Sequence, residues 1–152
     1  MSKPYLYILC GLPFSGKTTL AKELVKKYDW VRVDLDQINS ERELGGLANV
    51  DKALAQEKTV INDTANFTRE QRDKLRLIAK KYNIPSKVIY INIPEDEARR
   101  RWQENRISKI RYDVKDEDFA EVADNFQPPA EDENVVYYDQ AIPLEVWINK
   151  YL

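Results

Sequence analysis

Histidine is absent from the 152 residues, which removes imidazole general bases, Ser-His relays and most transition-metal sites together. Any acid–base chemistry falls to carboxylates, Lys, Tyr or water. The lone cysteine, Cys10, excludes an intramolecular disulfide and, set in an apolar run, reads as a core thiol. No apolar run approaches the roughly 20 residues of a membrane helix, and Met1-Ser2-Lys3-Pro4 carries no small-residue cleavage site, so a cytoplasmic chain without a membrane partner is expected. A net charge of −2 gives no bulk field for coating nucleic acid, though it leaves room for a local basic groove. Glycine is scarce as well, at four residues.

What is present alternates strand and helix patterns. Tyr5 to Cys10 is an apolar run that stops at Gly11, as a strand buried on both faces does. Lys17 to Lys27 carries a helical stripe of Leu20, Leu24 and Val25. Trp30 to Val33, Thr59 to Asp63, Lys87 to Ile93 and Val135 to Tyr138 read as further strands. Between them, helices are expected from the capping-box spacing at Ser40-Glu41-Arg42-Glu43, around Val50 to Glu57, from Thr68 onward, from Glu95 onward, and from Pro143 to Leu152. Gly45-Gly46 is expected to break the helix begun at Ser40. This order predicts an α/β fold: a five-stranded parallel sheet with helices on both faces, in one domain over 1–152.

The segment Gly11-Leu12-Pro13-Phe14-Ser15-Gly16-Lys17-Thr18 matches G-x-x-x-x-G-K-[ST] in full, directly between a buried strand and a helix. Two of the chain's four glycines occupy its two required positions. Free of side chains there, the backbone can curl so that successive N–H groups face phosphate oxygens, aided by the helix N-terminus. Gly11, Pro13, Ser15, Gly16, Lys17, Thr18 and Thr19 are therefore expected to hold ATP, with Lys17 on the β/γ-phosphates and the Thr18 hydroxyl on Mg²⁺.

Signatures of neighbouring classes are missing. A GTPase needs D-x-x-G and [NT]-K-x-D, yet Asp63 is followed by Thr64-Ala65-Asn66, and Asn149-Lys150 by Tyr151-Leu152. A kinase needs a carboxylate for the acceptor hydroxyl and cations for the moving phosphoryl group. Asp34 and Asp36 follow the second strand, where an open α/β sheet has its crevice; Asp36 is the first choice of base, with Asp34 beside it. Either aspartate is also a ready N-cap for the next helix. Asp63, ending the third strand, is expected near Thr18, holding a metal-bound water, or else capping an Asx-turn. The Arg-rich run from Arg99 to Arg111 opens a lid segment at about 100–125. Most of its charges suit a solvated helix face; Arg106 and then Arg101 are the candidates for the phosphates.

Four blocks together resemble the P-loop kinase group that includes polynucleotide 5′-hydroxyl kinases and, more distantly, zeta toxins and chloramphenicol phosphotransferase. They are GLPFSGKTT at Gly11 to Thr19, Asp36-Gln37-Ile38-Asn39, NDTANFTREQR at Asn62 to Arg72, and FQPPAEDE at Phe126 to Glu133. The resemblance implies the three-layer P-loop fold, Asp36 as base, Asp63 as a site carboxylate and a lid arginine near Arg106. Two departures stand out: Asn39 replaces the arginine often found three residues after the base, and Thr64-Ala65 are exchanged relative to the usual order. Three functions stay open: a kinase for RNA or DNA 5′-hydroxyls, a kinase for a small alcohol or nucleoside, and an ATP-binding interaction module without transfer. The oligomeric state is not legible.

Overall fold

The computed structural model describes residues 3–34, 40–64, 66–110 and 114–152, with backbone alone for 40–45. Five strands, β1 (Leu6–Cys10), β2 (Val31–Asp34), β3 (Val60–Asp63), β4 (Ser86–Ile91) and β5 (Val135–Tyr138), form one sheet in the order β2-β3-β1-β4-β5. All four pairings are parallel, as the strand–helix alternation requires. The helices are α1 (Lys17–Tyr28), α2 (Ser40–Ala55), α3 (Arg69–Lys81), α4 (Glu95–Ser108), α5 (Asp116–Asp124) and α6 (Leu144–Tyr151).

Period-two alternation in β1 divides the core into two layers. Leu6, Ile8 and Cys10 point toward Val50, Ala53 and Leu54 of α2 and Leu75 and Ala79 of α3. Tyr7 and Leu9 point the other way, toward Leu20, Ala21 and Leu24 of α1 and Trp147 and Ile148 of α6. A third cluster, Ala98, Trp102 and Phe119, joins α4 and α5 and meets Leu12 and Phe14 of the loop. The expected three-layer α/β fold with a helical segment over the loop is therefore the observed one. No helix among the described residues is long and apolar enough to cross a membrane.

The capping box at Thr68 forms, with Gln71 N–H bonding Thr68 Oγ1 and Thr68 N–H bonding Gln71 Oε1, both at 3.3 Å. Gly45-Gly46, by contrast, does not end its helix: α2 continues through both to Ala55. Two interior glycines cost about 2 kcal/mol relative to alanine. Burial of Val50, Ala53 and Leu54 against the sheet, at roughly 1.5–3 kcal/mol for each large side chain, outweighs that local cost. The capping box at Ser40 to Glu43 concerns side chains outside the described residues.

Candidate nucleotide and phosphoryl-transfer site

The loop between β1 and α1 needs its glycines for measurable reasons. Gly16 has φ +109°, and a Cβ there would lie 2.5 Å from Gln140 Nε2. At Gly11 a Cβ would lie 2.9 Å from Ser15 Oγ and 3.1 Å from Ile91 O. Phe14, at φ 63°, gives the turn its left-handed step, and Ser15 N–H closes it onto Leu12 O at 3.2 Å. Gly16 caps α1 without a side-chain hydrogen bond, so the first N–H groups of α1 are left facing the loop.

Lys17 folds back over the loop, its Nζ donating to Gly11 O at 3.1 Å and Leu12 O at 2.8 Å. Burial lowers its pKa to about 8, against the opposing pull of the Asp63 carboxylate and Cys10. Asp63 thus lies within electrostatic reach of the loop lysine. Its side chain is 2% exposed and is held by Arg32, whose Nε and Nη2 donate to Asp63 Oδ2 at 3.0 and 2.8 Å. The same Nη2 is 3.0 Å from Asp34 Oδ2. The ends of β2 and β3, paired Asp34 to Asp63, are therefore joined by one guanidinium. Asp36 and Asn39 lie outside the described residues.

Asn62 to Arg72 forms the scaffold beneath this pair. Asn66, at φ 45°, donates through Nδ2 to Leu9 O at 2.7 Å and to Asn62 Oδ1 at 2.8 Å. Cys10 Sγ donates to Asn66 O at 3.4 Å and Arg72 Nη1 donates there at 2.8 Å. The end of β3 is thereby fastened to the end of β1, which fixes Asp63 relative to the loop. Burial pushes the Cys10 thiol up to about 11, in keeping with a core thiol rather than a reactive one.

Across the loop, Arg101 of α4 donates through Nη1 to Phe14 O and Ser15 O, both at 3.3 Å, and through Nη2 to Gln140 Oε1 at 3.2 Å. Gln140 Nε2 reaches Ser15 O at 3.4 Å. Phe14, Gly16, Thr19, Arg101, Asn105 and Gln140 line a cavity of about 440 Å³, within the range of small-molecule sites. Arg106 is placed differently: it lies 4.2 Å from the Trp102 ring centroid and pairs with Asp116. Trp102 in turn stacks on Phe119 at 4.4 Å. The remaining arginines at the start of α4 pair along their own helix, Arg99 with Glu95 and Arg100 with Glu97 and Glu104.

Lys17, Ser15, Thr19, Asp63, Asp34 and Arg101 thus surround the loop or the carboxyl ends of β2 and β3. Ser15 is fully buried, and its Oγ has no hydrogen-bond partner among the described residues. Thr18, in the first turn of α1, and Asp63, at the end of β3, carry the kind of oxygen donor that Mg²⁺ takes, one or two from protein with water and substrate phosphates for the rest. Sequence reasoning missed Arg32 and Gln140. Alternation does place Arg32 on the face of Asp34, but no local signal marks Gln140, 125 residues from the Ser15 carbonyl it contacts.

Comparison with known proteins agrees with the fold. The bifunctional polynucleotide phosphatase/kinase of Schizosaccharomyces pombe (strain 972 / ATCC 24843) is 32% identical over 94 residues, covering 62% of this chain and 22% of that protein. The chain thus spans about a fifth of the length of this curated relative. Among solved structures, Chaetomium thermophilum Kti12 in complex with ADP-AlF3 superposes with a TM-score of 0.78 at 18% identity, covering 96% of this chain and 94% of that one. A gluconokinase from Sinorhizobium meliloti 1021 superposes at 0.71 and 16% identity, covering 100% and 91%. Both are likenesses of fold. The model of the family described as chromatin associated protein KTI12 matches residues 5–135, and the chain belongs to that family, which is P-loop kinase-like in fold.

Proposed function

We propose that this chain is an ATP·Mg²⁺-dependent kinase that transfers the γ-phosphate to a hydroxyl, with a nucleic-acid 5′-hydroxyl as the first acceptor to test. One observation carries the reading: a phosphate-type loop holds a half-buried lysine within electrostatic reach of Asp63, and Arg32 ties Asp63 to the strand end that leads to Asp36. Phosphoryl transfer needs little covalent work from the protein; it needs positioning and neutralised charge. Loop N–H groups and Lys17 bind the phosphates, Arg101 closes the cavity wall over the nucleoside, and Arg106 follows with the lid. Asp36 accepts the acceptor proton as the new O–P bond forms and the β,γ-bridging bond breaks toward ADP. Thr18 through its hydroxyl and Asp63 through a water would hold Mg²⁺, which would supply further charge neutralisation for the phosphates.

The nucleic-acid acceptor is supported by the similarity to a polynucleotide phosphatase/kinase and by the four sequence blocks. Family membership supports a second reading, an ATP-binding interaction module without transfer, since the KTI12 family is named for association with chromatin. Incubation with γ-labelled ATP and Mg²⁺ against 5′-hydroxyl RNA and DNA oligonucleotides, nucleosides and sugar acids separates the readings. Label on oligonucleotides is the expected result. Label on small alcohols alone moves the acceptor to that class, and tight ATP binding with no labelled acceptor leaves the interaction module.

A further inference from the structure

Arg32 makes three charge-assisted contacts to two carboxylates, two with Asp63 Oδ2 and one with Asp34 Oδ2. Alternation along β2 and the Asp34-to-Asp63 register put all three residues on one face of the sheet. Ile61, in register with Arg32, packs with Leu20, Ala21 and Leu24 of α1; it is the face against which α1 lies. Lys17 begins that helix. Its ammonium feels the Asp63 carboxylate, yet its hydrogen bonds go to Gly11 O and Leu12 O instead. Arg32 thus holds the buried Asp63 carboxylate while Lys17 lies within electrostatic reach of it, and Lys17 must stay available for phosphate.

We propose that Arg32 is a positioning residue of the nucleotide site: by holding Asp63 it keeps that carboxylate from closing on Lys17, which leaves the lysine open to phosphate. The inference rests on reading Gly11 to Thr18 as a phosphate loop and does not depend on the acceptor. A carboxylate as buried as Asp63 does not stay unpaired. Without Arg32, the cation whose field it already feels is that of Lys17. A Lys17–Asp63 pair would have to open before phosphate could bind, and apparent affinity falls by the fraction of molecules left open. Guanidinium suits the task because its planar fork spans two carboxylates at once. Asp34, with its side chain 36% exposed, serves as the outer anchor of the fork and is solvated by water if the fork is lost.

The test is binding of a fluorescent ADP in EDTA, which reads the availability of Lys17 without metal and without turnover. Arg32→Gln is expected to bind about tenfold more weakly than wild type, and Arg32→Lys, which keeps a cation against Asp63, within about threefold. The decisive variant is Arg32→Gln with Asp63→Asn, which removes the carboxylate that Arg32 restrains. Its affinity is expected to return to that of Asp63→Asn alone, within about twofold. If Arg32→Gln binds like wild type, or the double variant stays weaker than Asp63→Asn, the inference is overturned. Melting temperatures identify any variant that does not fold. Should Arg32→Gln be one, the double variant against Asp63→Asn still decides, since neither orphans a buried carboxylate. Wild-type protein that binds no ADP overturns the loop reading and the inference together; ADP binding with the expected variant pattern but no labelled acceptor overturns the kinase reading alone.

Discussion

Arg72 of α3 and Glu133, in the 3-10 turn before β5, meet as a fully buried ion pair, Nε to Oε1 at 2.8 Å and Nη2 to Oε2 at 3.3 Å, with side chains 0% and 1% exposed. Each is held by more than the other. Arg72 also serves Asn66 O, and Glu133 takes the Ala130 N–H at 2.7 Å and Arg76 Nη2 at 2.8 Å. The third sequence block, which carries Asp63, is thereby bolted to the fourth.

Breaking this pair from one side leaves a buried charge alone, which typically costs about 3–5 kcal/mol. Glu133→Gln is expected to lose stability on that scale in urea unfolding, whereas apolar replacement of both partners costs much less. Acid should act through the same group. Burial opposes ionisation of Glu133, but hydrogen bonds from Arg72 and the Ala130 N–H more than offset it and hold its pKa at about 2. An unfolded glutamate titrates near 4.3. The folded carboxylate therefore contributes stability above that value and loses it as pH falls toward about 2. The gap in urea midpoint between wild type and Glu133→Gln should be widest above pH 5 and narrow steadily below pH 4; a gap independent of pH would remove Glu133 from this role.

Lys17 gives a pH dependence of the opposite kind. With its pKa lowered to about 8 by burial, most of the population is neutral above that pH. Phosphate favours the ammonium, so binding raises the pKa and takes up a proton. Nucleotide affinity is expected to be flat near pH 7 and to fall above pH 8, by at most about tenfold per unit. Calorimetry in two buffers of different ionisation enthalpy checks this directly: approaching one proton taken up at pH 9, and little at pH 7. Lys17→Ala should lose most of the affinity and all of the uptake. Asp36→Asn, by contrast, should keep nucleotide binding and lose transfer.

Local pattern made the strands, the loop and the three layers legible, because each follows from a run of neighbouring residues: Tyr5 to Cys10 ending at Gly11, or Leu20 and Leu24 on one helical stripe. Features that depend on distant partners were not. Gly45-Gly46 reads as a stop until the sheet offers Val50 and Leu54 a surface to bury against. Arg72 can be read as a letter in a block, but a buried cation has to await Glu133, 61 residues on. Arg32 shares a face with Asp34 by simple alternation, yet its main partner is Asp63, brought alongside only by the β2–β3 register.

Gly16 tests whether the loop's shape or its free volume matters more. At φ +109° an alanine is strained whatever surrounds it, by about 1–2 kcal/mol for left-handed backbone, and its Cβ would also strike Gln140 Nε2. Gly16→Ala is expected to reduce nucleotide affinity at least about tenfold, as the N–H groups that face phosphate turn away. Adding Gln140→Ala removes the clash but not the backbone strain. Recovery should therefore be partial, and full recovery in the double variant would show that crowding alone was responsible.

The two lid arginines should separate in steady-state kinetics. Arg101 touches the carbonyls of Phe14 and Ser15 and lines the cavity, so Arg101→Ala should raise KM for ATP about tenfold with kcat little changed, the signature of lost uniform binding. Arg106 sits on the Trp102 ring and pairs with Asp116, from where closure of the helical lid would bring it to the transferring phosphate. Its replacement by alanine should leave KM for ATP within about threefold and lower kcat at least about tenfold, an arginine effect confined to the transition state. Stability should hardly move, because the stack of Trp102 on Phe119 remains and an exposed cation–π contact contributes only about 0.5–1 kcal/mol. The reversed pattern, kcat lost through Arg101 and kept without Arg106, would transfer the phosphate role to the arginine already resting on the loop.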